Sequence, residues 1–114
     1  MATEPSRKEI WFANLDPTRG HEQFGTRPVL IVSTNTFNHG PADLVIAAAL
    51  TTRARRVQSR VRIEPPNGGV KTTSFVMCET VRSISKERLL QRWGVVSDET
   101  MEQIADYLRV LMEL

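Results

Sequence analysis

The sequence contains a single cysteine, Cys78, among 114 residues. One cysteine cannot form a disulfide within the chain, so the small disulfide-stabilised domains of secreted proteins are excluded. The residues just before it, Phe75, Val76 and Met77, are apolar. This neighbourhood predicts a buried, unreactive thiol in a reducing compartment rather than a catalytic nucleophile.

Long apolar runs are also missing. No stretch approaches the roughly 20 apolar residues that a membrane-spanning helix requires. The polar start of the chain is not followed by the apolar core of a signal peptide. We therefore expect a cytoplasmic protein that makes no membrane contact.

The sequence has few lysines, and it lacks the residue spacings that are typical of metal sites. No histidine or cysteine pair has the spacing of metal ligands, so we expect neither a metal nor another cofactor. Three lysines stand against twelve arginines, and arginine is the side chain suited to bidentate contact with phosphate. Five arginines fall within ten residues that contain no acid: Arg53, Arg55, Arg56, Arg60 and Arg62. This segregation predicts a surface for a polyanion.

The length fits one domain, residues 1–114, with residues 1–8 expected to be flexible. Apolar runs predict strands, and turn residues at 38–41 and 65–69 separate them. Short strands with frequent turns favour a small β-barrel. The predicted strands are 10–15, 29–33, 44–50, 60–64, 75–79 and 92–96.

The C-terminal region has the spacing of an amphipathic helix. Ser97 is a suitable N-cap, and Asp98 and Glu99 suit the positive end of the helix dipole. The apolar stripe predicted to face the core is Met101, Ile104, Ala105, Leu108, Leu111 and Met112. A shorter helical turn is predicted at 85–90, capped by Ser85. The fold class is therefore mostly β, with a short helix and a C-terminal helix laid across the sheet.

The most polar loop candidate lies between the first two predicted strands and reads PTRGHEQFGTRPV over residues 17–29. Loops held by a rigid sheet commonly carry binding and catalytic residues. Pro28 biases Arg27 toward extended backbone, which would hold its guanidinium in place. An anion is the expected target, although an arginine that caps the barrel end through a carboxylate is the structural alternative.

A second polar group, Thr51, Thr52 and Arg53, follows the strand predicted at 44–50. Hydroxyl groups there can donate to phosphate oxygens, but an ordinary strand end or turn has the same pattern. The neighbouring arginines either grip a nucleic-acid backbone or form a solvated loop. Trp11 and Trp93 are expected in the core rather than stacked on bases.

Several segments together carry a family resemblance. They are EIWFANLDPTRGHEQ at 9–23, GTRPVLIV at 25–32, AALTTR at 48–53, CETVR at 78–82 and SKERL at 85–89. From Glu9 to Leu114 the chain resembles the MazF/PemK family of toxin endoribonucleases. The resemblance implies a homodimer of SH3-like barrels that inhibits translation and growth by cutting single-stranded RNA at short motifs. It also implies cleavage without a metal to a 2′,3′-cyclic phosphate and a 5′-hydroxyl, and neutralisation by a MazE-like antitoxin with a flexible acidic tail.

The resemblance also assigns residues. The catalytic arginine falls on Arg27, the catalytic threonine on Thr51 and the loop glutamate on Glu22. An arginine with a pKa above about 12 is a poor base, so Arg27 is expected to stabilise charge while Glu22 or His21 takes the proton. The residues expected to bind RNA are Arg19, His21, Gln23, Thr52, Arg53, Arg55, Arg56, Glu79 and Thr80.

The sequence departs from the family pattern at two positions, and two alternative functions stay open. The family often has glutamine at the position of Thr80 and a small residue at that of Phe24, so the cleavage motif cannot be carried over. A CcdB-like gyrase-binding toxin has a similar fold but ends in tryptophan and glycine, whereas this chain ends LMEL. A catalytically silent binding module on the same barrel is disfavoured, because Arg27, Thr51 and Glu22 occur together.

Overall fold

The structure, a computed structural model, describes residues 4–15, 25–57 and 59–114. Seven antiparallel strands form the sheet, in the order β4-β5-β3-β2-β1-β7 with β6 paired to β3. The strands are β1 Glu9–Asn14, β2 Thr26–Ile31, β3 Leu44–Thr51, β4 Arg60–Ile63, β5 Ser74–Met77, β6 Arg82–Ser85 and β7 Leu89–Val95. The helices are α1 Asn35–Asn38 and α2 Asp98–Met112.

The mostly β, SH3-like architecture expected from the sequence is confirmed, with one difference. In the described part of the chain, the strand path ends on β4 and on β7, so the ladder stays open there instead of closing into a barrel. Strand β3 is central: one edge pairs with β2, and the other pairs first with β6 and then with β5. Its apolar run fits a strand that is buried on both faces. Thr51, at the end of this strand, is where the chain leaves the core.

Apolar clusters lie on both faces of the sheet. One contains Ile10, Leu30 and Val76 and packs under α2. The other surrounds Trp11, which is 9% exposed, so the prediction of a core tryptophan is confirmed there. Trp93 is half-buried and stacks on a neighbouring ring, with its centroid 5.7 Å from that of Phe12. Both tryptophans are thus used in packing.

Cys78 is fully buried in the cluster beneath α2, as the sequence predicted. Burial, helped by the nearby carboxylate of Glu79, raises the pKa of the Cys78 thiol to about 11. The thiol is therefore protonated at neutral pH and is a poor nucleophile.

Helix α2 begins as predicted but extends beyond the core. The hydroxyl of Ser97 accepts a hydrogen bond from the Thr100 amide at 3.2 Å. Ile104 is buried, whereas Leu111 and Met112 are 47% and 49% exposed. The prediction that both belong to the core stripe is wrong, because the last turn of the helix extends past the sheet. Within the described ranges, no helix has the length and apolar content to cross a membrane.

Local predictions failed between β5 and β7. The segment predicted as helical at 85–90 contains only a 3-10 turn, Lys86–Arg88, and Leu89 already belongs to β7. Ser85 makes no side-chain capping hydrogen bond. Strand β6 was missed because two of its four residues are serines, which weaken the apolar signal. The short helix α1 was also not predicted, because its last residue belongs to the turn signal before Gly40.

Residues before β1 are tied to the body of the domain. The Lys8 amide donates to the Ile31 carbonyl at 2.9 Å. The Arg7 amide donates to Asn35 Oδ1 at 2.8 Å, and His39 Nε2 lies 3.0 Å from the carbonyl oxygen of Pro5. These contacts bring the predicted polar turn at His39 against the start of the chain.

A threonine hydroxyl bridges the gap between β6 and β5 on the edge of β3. Thr80 lies in a 3-10 turn, Cys78–Thr80, between these strands. Its Oγ1 accepts the Ala49 amide at 2.8 Å and donates to the Met77 carbonyl at 2.7 Å. The Thr80 side chain thus takes the place of a backbone partner for β3 at the point between its pairing with β6 and its pairing with β5.

Replacing Thr80 by valine is expected to destabilise the fold by about 1–3 kcal/mol, because the partly buried Ala49 amide loses its acceptor. Thr80→Ser retains the hydroxyl and is expected to recover most of the loss. Urea unfolding of both variants measures the difference. Equal stability of the valine and serine variants would show that the bridge contributes nothing.

Candidate functional site

Arg27 is held at the start of β2, at the level where β3 ends. The last pair of β2 with β3 is Val29 with Ala49, and Arg27 and Thr51 each stand two residues further along their strands, so the antiparallel register sets them side by side. Arg27 lies in extended backbone, as Pro28 predicted, and is half-buried. Its Nη1 donates to the Leu50 carbonyl at 3.4 Å. Among the described residues, the remaining N–H groups of the guanidinium have no partner and are available to a ligand.

Thr51 is oriented by the turn that follows it. Its Oγ1 accepts the Arg53 amide at 3.2 Å. A hydroxyl that accepts through oxygen keeps its hydrogen for another acceptor. Thr51 can therefore donate to an anion beside Arg27, which is the role the sequence predicted for a hydroxyl at this strand end.

Arg27 and Thr51 line a cavity of about 470 Å³. Four arginines and three hydroxyl side chains line it, and no described residue in the lining is acidic. Such a lining favours an anion with several oxygen atoms, because guanidinium groups and hydroxyls both donate hydrogen bonds to it. The lining consists of Arg27, Pro28, Leu50, Thr51, Thr52, Arg53, Arg55, Arg60, Ser74 and Met77.

Arg60 is fixed in this lining by Glu79. Its Nε donates to Glu79 Oε2 at 2.9 Å, and Ser59 Oγ donates to Glu79 Oε1 at 2.7 Å. Burial alone would raise the pKa of Glu79, but these hydrogen bonds and the charge of Arg60 outweigh it and lower the pKa below 4.5. Glu79 is thus ionised at neutral pH and positions a cation that faces the cavity.

Removing the charge of the Glu79 carboxylate is expected to lower the stability of the fold at neutral pH but not at strongly acidic pH. Glu79→Gln should lower the free energy of unfolding by about 1 kcal/mol at pH 7, because one charge-assisted pair is lost. The folded pKa of Glu79 lies below the ordinary value of 4.5, so the contribution is present above that value and fades as pH falls through the folded pKa.

Urea unfolding of wild type and Glu79→Gln at several pH values between neutral and strongly acidic measures this loss. The two stability curves should converge on the acidic side. A difference that stays constant at all pH values would mean that ionisation of Glu79 is not the cause.

The structure brings together only some of the predicted site residues. Thr52, Arg53 and Arg55 line the cavity with Arg27 and Thr51, whereas Arg56 is exposed outside it. Glu79 and Thr80 make the contacts within the fold described above and do not line the cavity. Four predicted residues lie outside the described residues: Arg19, His21, Glu22 and Gln23.

Two polar residues of the cavity lining were not predicted as site residues. Arg60 was counted only as part of the arginine cluster, and Ser74 gave no signal. Both reach the cavity because β4 pairs with β5 and β5 pairs with the end of β3. Such long-range pairing has no local signature in the sequence. Within the described ranges, no group of three or more His, Cys, Asp or Glu side chains is placed to hold a metal ion.

Comparisons with known proteins agree over the whole domain. Residues 6–112 match the model of the PemK-like, MazF-like toxins of type II toxin-antitoxin systems. The endoribonuclease EndoA of Bacillus subtilis (strain 168) is 29% identical over 109 residues, which cover 95% of this chain and 94% of EndoA.

Solved structures show the same fold. MazF (Form-I) from Deinococcus radiodurans superposes with a TM-score of 0.88 at 23% identity and covers 99% of this chain and 100% of its own. A mycobacterial endoribonuclease, solved in complex with its cognate antitoxin, has a TM-score of 0.81 at 27% identity and covers 96% of each chain.

Proposed function

The chain belongs to the PemK-like, MazF-like toxins of type II toxin-antitoxin systems, and we propose on this basis that it is an endoribonuclease that cuts single-stranded RNA. The observation that carries the proposal is the arginine-lined cavity in which Arg27 and Thr51 lie level on neighbouring strands. The name of the relative EndoA supports the same activity.

The proposed reaction is attack by a ribose 2′-hydroxyl on the adjacent phosphorus. The new oxygen–phosphorus bond forms as the bond to the 5′-oxygen breaks, which leaves a 2′,3′-cyclic phosphate and a 5′-hydroxyl. Charge builds on the non-bridging oxygens, where the Arg27 guanidinium neutralises it and the Thr51 hydroxyl donates a hydrogen bond. Because these groups supply the stabilisation, no step requires a metal.

Two proton transfers complete the reaction. A base takes the proton of the 2′-hydroxyl, and an acid protonates the departing 5′-oxygen. We assign the base to Glu22 or His21 and the acid to Arg27. A Glu22→Gln/His21→Ala double variant should be strongly slowed, and a double variant with the full cleavage rate would dismiss this assignment.

The flanking RNA needs its own contacts. Arg53 and Arg55 line the cavity and Arg56 is exposed beside it, so they can neutralise neighbouring phosphates. Thr52 adds a hydroxyl, and Arg19 and Gln23 are further RNA contacts proposed from the sequence. Affinity for RNA should fall as salt rises, since each neutralised phosphate releases a counterion.

The test is incubation of the purified chain with a long single-stranded RNA in excess EDTA, followed by mapping of the fragment ends. Discrete cuts that end in 2′,3′-cyclic phosphate are expected. Intact RNA would instead favour a protein-binding toxin on the same fold. Cuts that disappear with EDTA would contradict the metal-independent reaction.

We further propose that a MazE-like antitoxin inserts a flexible acidic segment into the arginine-lined cavity. Carboxylates offer arginine the same paired acceptor oxygens as phosphate does. The complex of the similar mycobacterial endoribonuclease with its antitoxin supports a partner of this class. Antitoxin and RNA should therefore compete, and simultaneous binding of both would contradict the shared site.

A homodimer is the proposed assembly. Support comes from the end of α2, where Leu111, Met112 and Leu114 are apolar but 47%, 49% and 84% exposed. Light scattering should give about twice the chain mass of 12.9 kDa. A Leu111→Lys/Met112→Lys variant should dissociate, and a wild-type chain that stays monomeric at all concentrations would contradict the proposal.

A further inference from the structure

Arg60 lines the cavity but has no part in the reaction proposed above. It is paired with Met77 across strands β4 and β5, and directly paired residues share one face of a sheet. Met77 lines the cavity as well. The Arg60 side chain is only 13% exposed, so its guanidinium is held within the lining and does not move freely in solvent. Arg60 and Met77 together form one corner of the cavity.

Glu79 occupies one edge of the Arg60 guanidinium. The Nε and Nη2 atoms of Arg60 both lie 2.9 Å from Glu79 Oε2, and Ser59 donates to the other carboxylate oxygen. A guanidinium carries five N–H groups in a planar fork. Its outer edge, with one N–H on Nη1 and one on Nη2, is therefore left intact. No described residue accepts a hydrogen bond from this outer edge.

Arg60 differs in charge balance from the other arginines of the lining. The ionised Glu79 carboxylate neutralises it, whereas no described carboxylate forms an ion pair with Arg27, Arg53 or Arg55. A phosphate is drawn most strongly to the three arginines without a carboxylate partner. The neutralised pair with two parallel N–H donors suits an uncharged ligand group that carries two acceptor atoms side by side.

The surface beside Arg60 is apolar. Met77 is 2% exposed, and its thioether makes favourable contacts with aromatic rings. Pro28 and Leu50 add further apolar surface to the lining. A flat nucleobase can pack on such a surface while one of its edges meets Arg60. Guanine presents O6 and N7 as adjacent acceptors that match an arginine edge, whereas adenine presents an amino donor in place of O6.

We propose that Arg60 is a specificity-determining residue, whose outer edge donates to O6 and N7 of a guanine that packs on Met77. Thr51 is paired with Phe75, which stands two residues before Met77 on the same face of β5. Two strand spacings and two residues separate Arg60 from Thr51, roughly 12 Å between their Cα atoms. The guanine therefore belongs to a nucleotide that flanks the reacting phosphate. This inference rests on the proposed function, since it requires RNA in the cavity.

Binding tests the guanine contact without cleavage. The probe is a labelled oligomer of 2′-deoxyuridine with one central purine, which cannot be cut because it lacks the 2′-hydroxyl. Fluorescence anisotropy with the full chain should show about 10- to 100-fold tighter binding of guanine than of adenine, the usual discrimination of a two-bond arginine contact. An oligomer with 7-deazaguanine, which lacks the N7 acceptor, should lose most of this advantage.

Two variants assign the preference to Arg60. Arg60→Gln should remove it, and Arg60→Gln/Glu79→Gln should remove it too without leaving the Glu79 carboxylate unpaired. Arg62→Gln is the matched control, because Arg62 stands on the same face of β4, also pairs with a glutamate and does not line the cavity. It should keep the wild-type preference. Equal affinity of the wild-type chain for guanine and adenine, or a preference that survives both Arg60 variants, would overturn the proposal.

Cleavage mapping separates this inference from the proposed reaction. Cuts in a long RNA should have guanine at one fixed position beside the cut, and Arg60→Gln should cut with that position relaxed. Cuts without any guanine preference would overturn the role of Arg60 and leave the reaction standing. Intact RNA together with an Arg60-dependent preference for the guanine oligomer would reject the reaction and support the guanine site.

Discussion

Arg27→Ala is expected to slow RNA cleavage by about a hundredfold to a thousandfold, the usual loss when one donor to a developing phosphate or oxyanion charge is removed. Arg27 lies level with Thr51, in a cavity whose described lining carries no acid that would neutralise the guanidinium charge. Arg27→Lys keeps the charge but loses the planar guanidinium, so its cleavage rate should lie between those of wild type and Arg27→Ala.

The measurement is the single-turnover cleavage rate on one mapped site. Arg109→Ala is the matched control, since it removes an exposed arginine on α2 that does not line the cavity. Its rate should equal that of wild type. Cleavage by Arg27→Ala at the wild-type rate would exclude Arg27 from the chemistry.

Gly69→Ala is expected to destabilise the fold by at least about 3 kcal/mol, because backbone strain and a backbone clash add together. Gly69 has φ +78°, and a Cβ there would lie 2.3 Å from the Trp93 carbonyl oxygen and 2.6 Å from its carbon. Both atoms belong to β7, so relief of the clash requires movement of a strand.

Gly25→Ala separates the two causes. Gly25 has nearly the same φ, +80°, but a Cβ there would meet no atom of the described residues within 4 Å. It should cost only the strain, about 1–2 kcal/mol. Urea unfolding of both variants tests this difference, and equal losses would mean that close packing against β7 is irrelevant.

The juxtaposition of Arg27 and Thr51 was predictable because its signals are local. Pro28 marks an extended Arg27 at the start of an apolar run, and Thr51 ends another such run. Two apolar strands that neighbour each other in sequence commonly pair as antiparallel strands, which is enough to bring their polar ends together. The family resemblance then named the same two residues.

Other features depend on contacts between distant parts of the chain. The roles of Thr80 and Glu79 follow from the change of strand partner along β3 and from the pairing of Arg60, and neither is visible in local composition. Periodicity gave the buried face of α2 correctly at Ile104. It could not show that the sheet ends before Leu111, because a repeat pattern carries no information about the length of the surface it covers.

The most direct test of the role proposed for the arginine-lined cavity is a double-mutant cycle of Arg27→Ala and Thr51→Val, measured by single-turnover cleavage of one mapped RNA in excess EDTA. Both side chains are proposed to stabilise the same phosphate, so the double variant should lose less than the product of the two single losses. Discrete wild-type cleavage with this coupling is the expected result. Single variants that cut as fast as wild type would show that the reaction occurs elsewhere on the molecule.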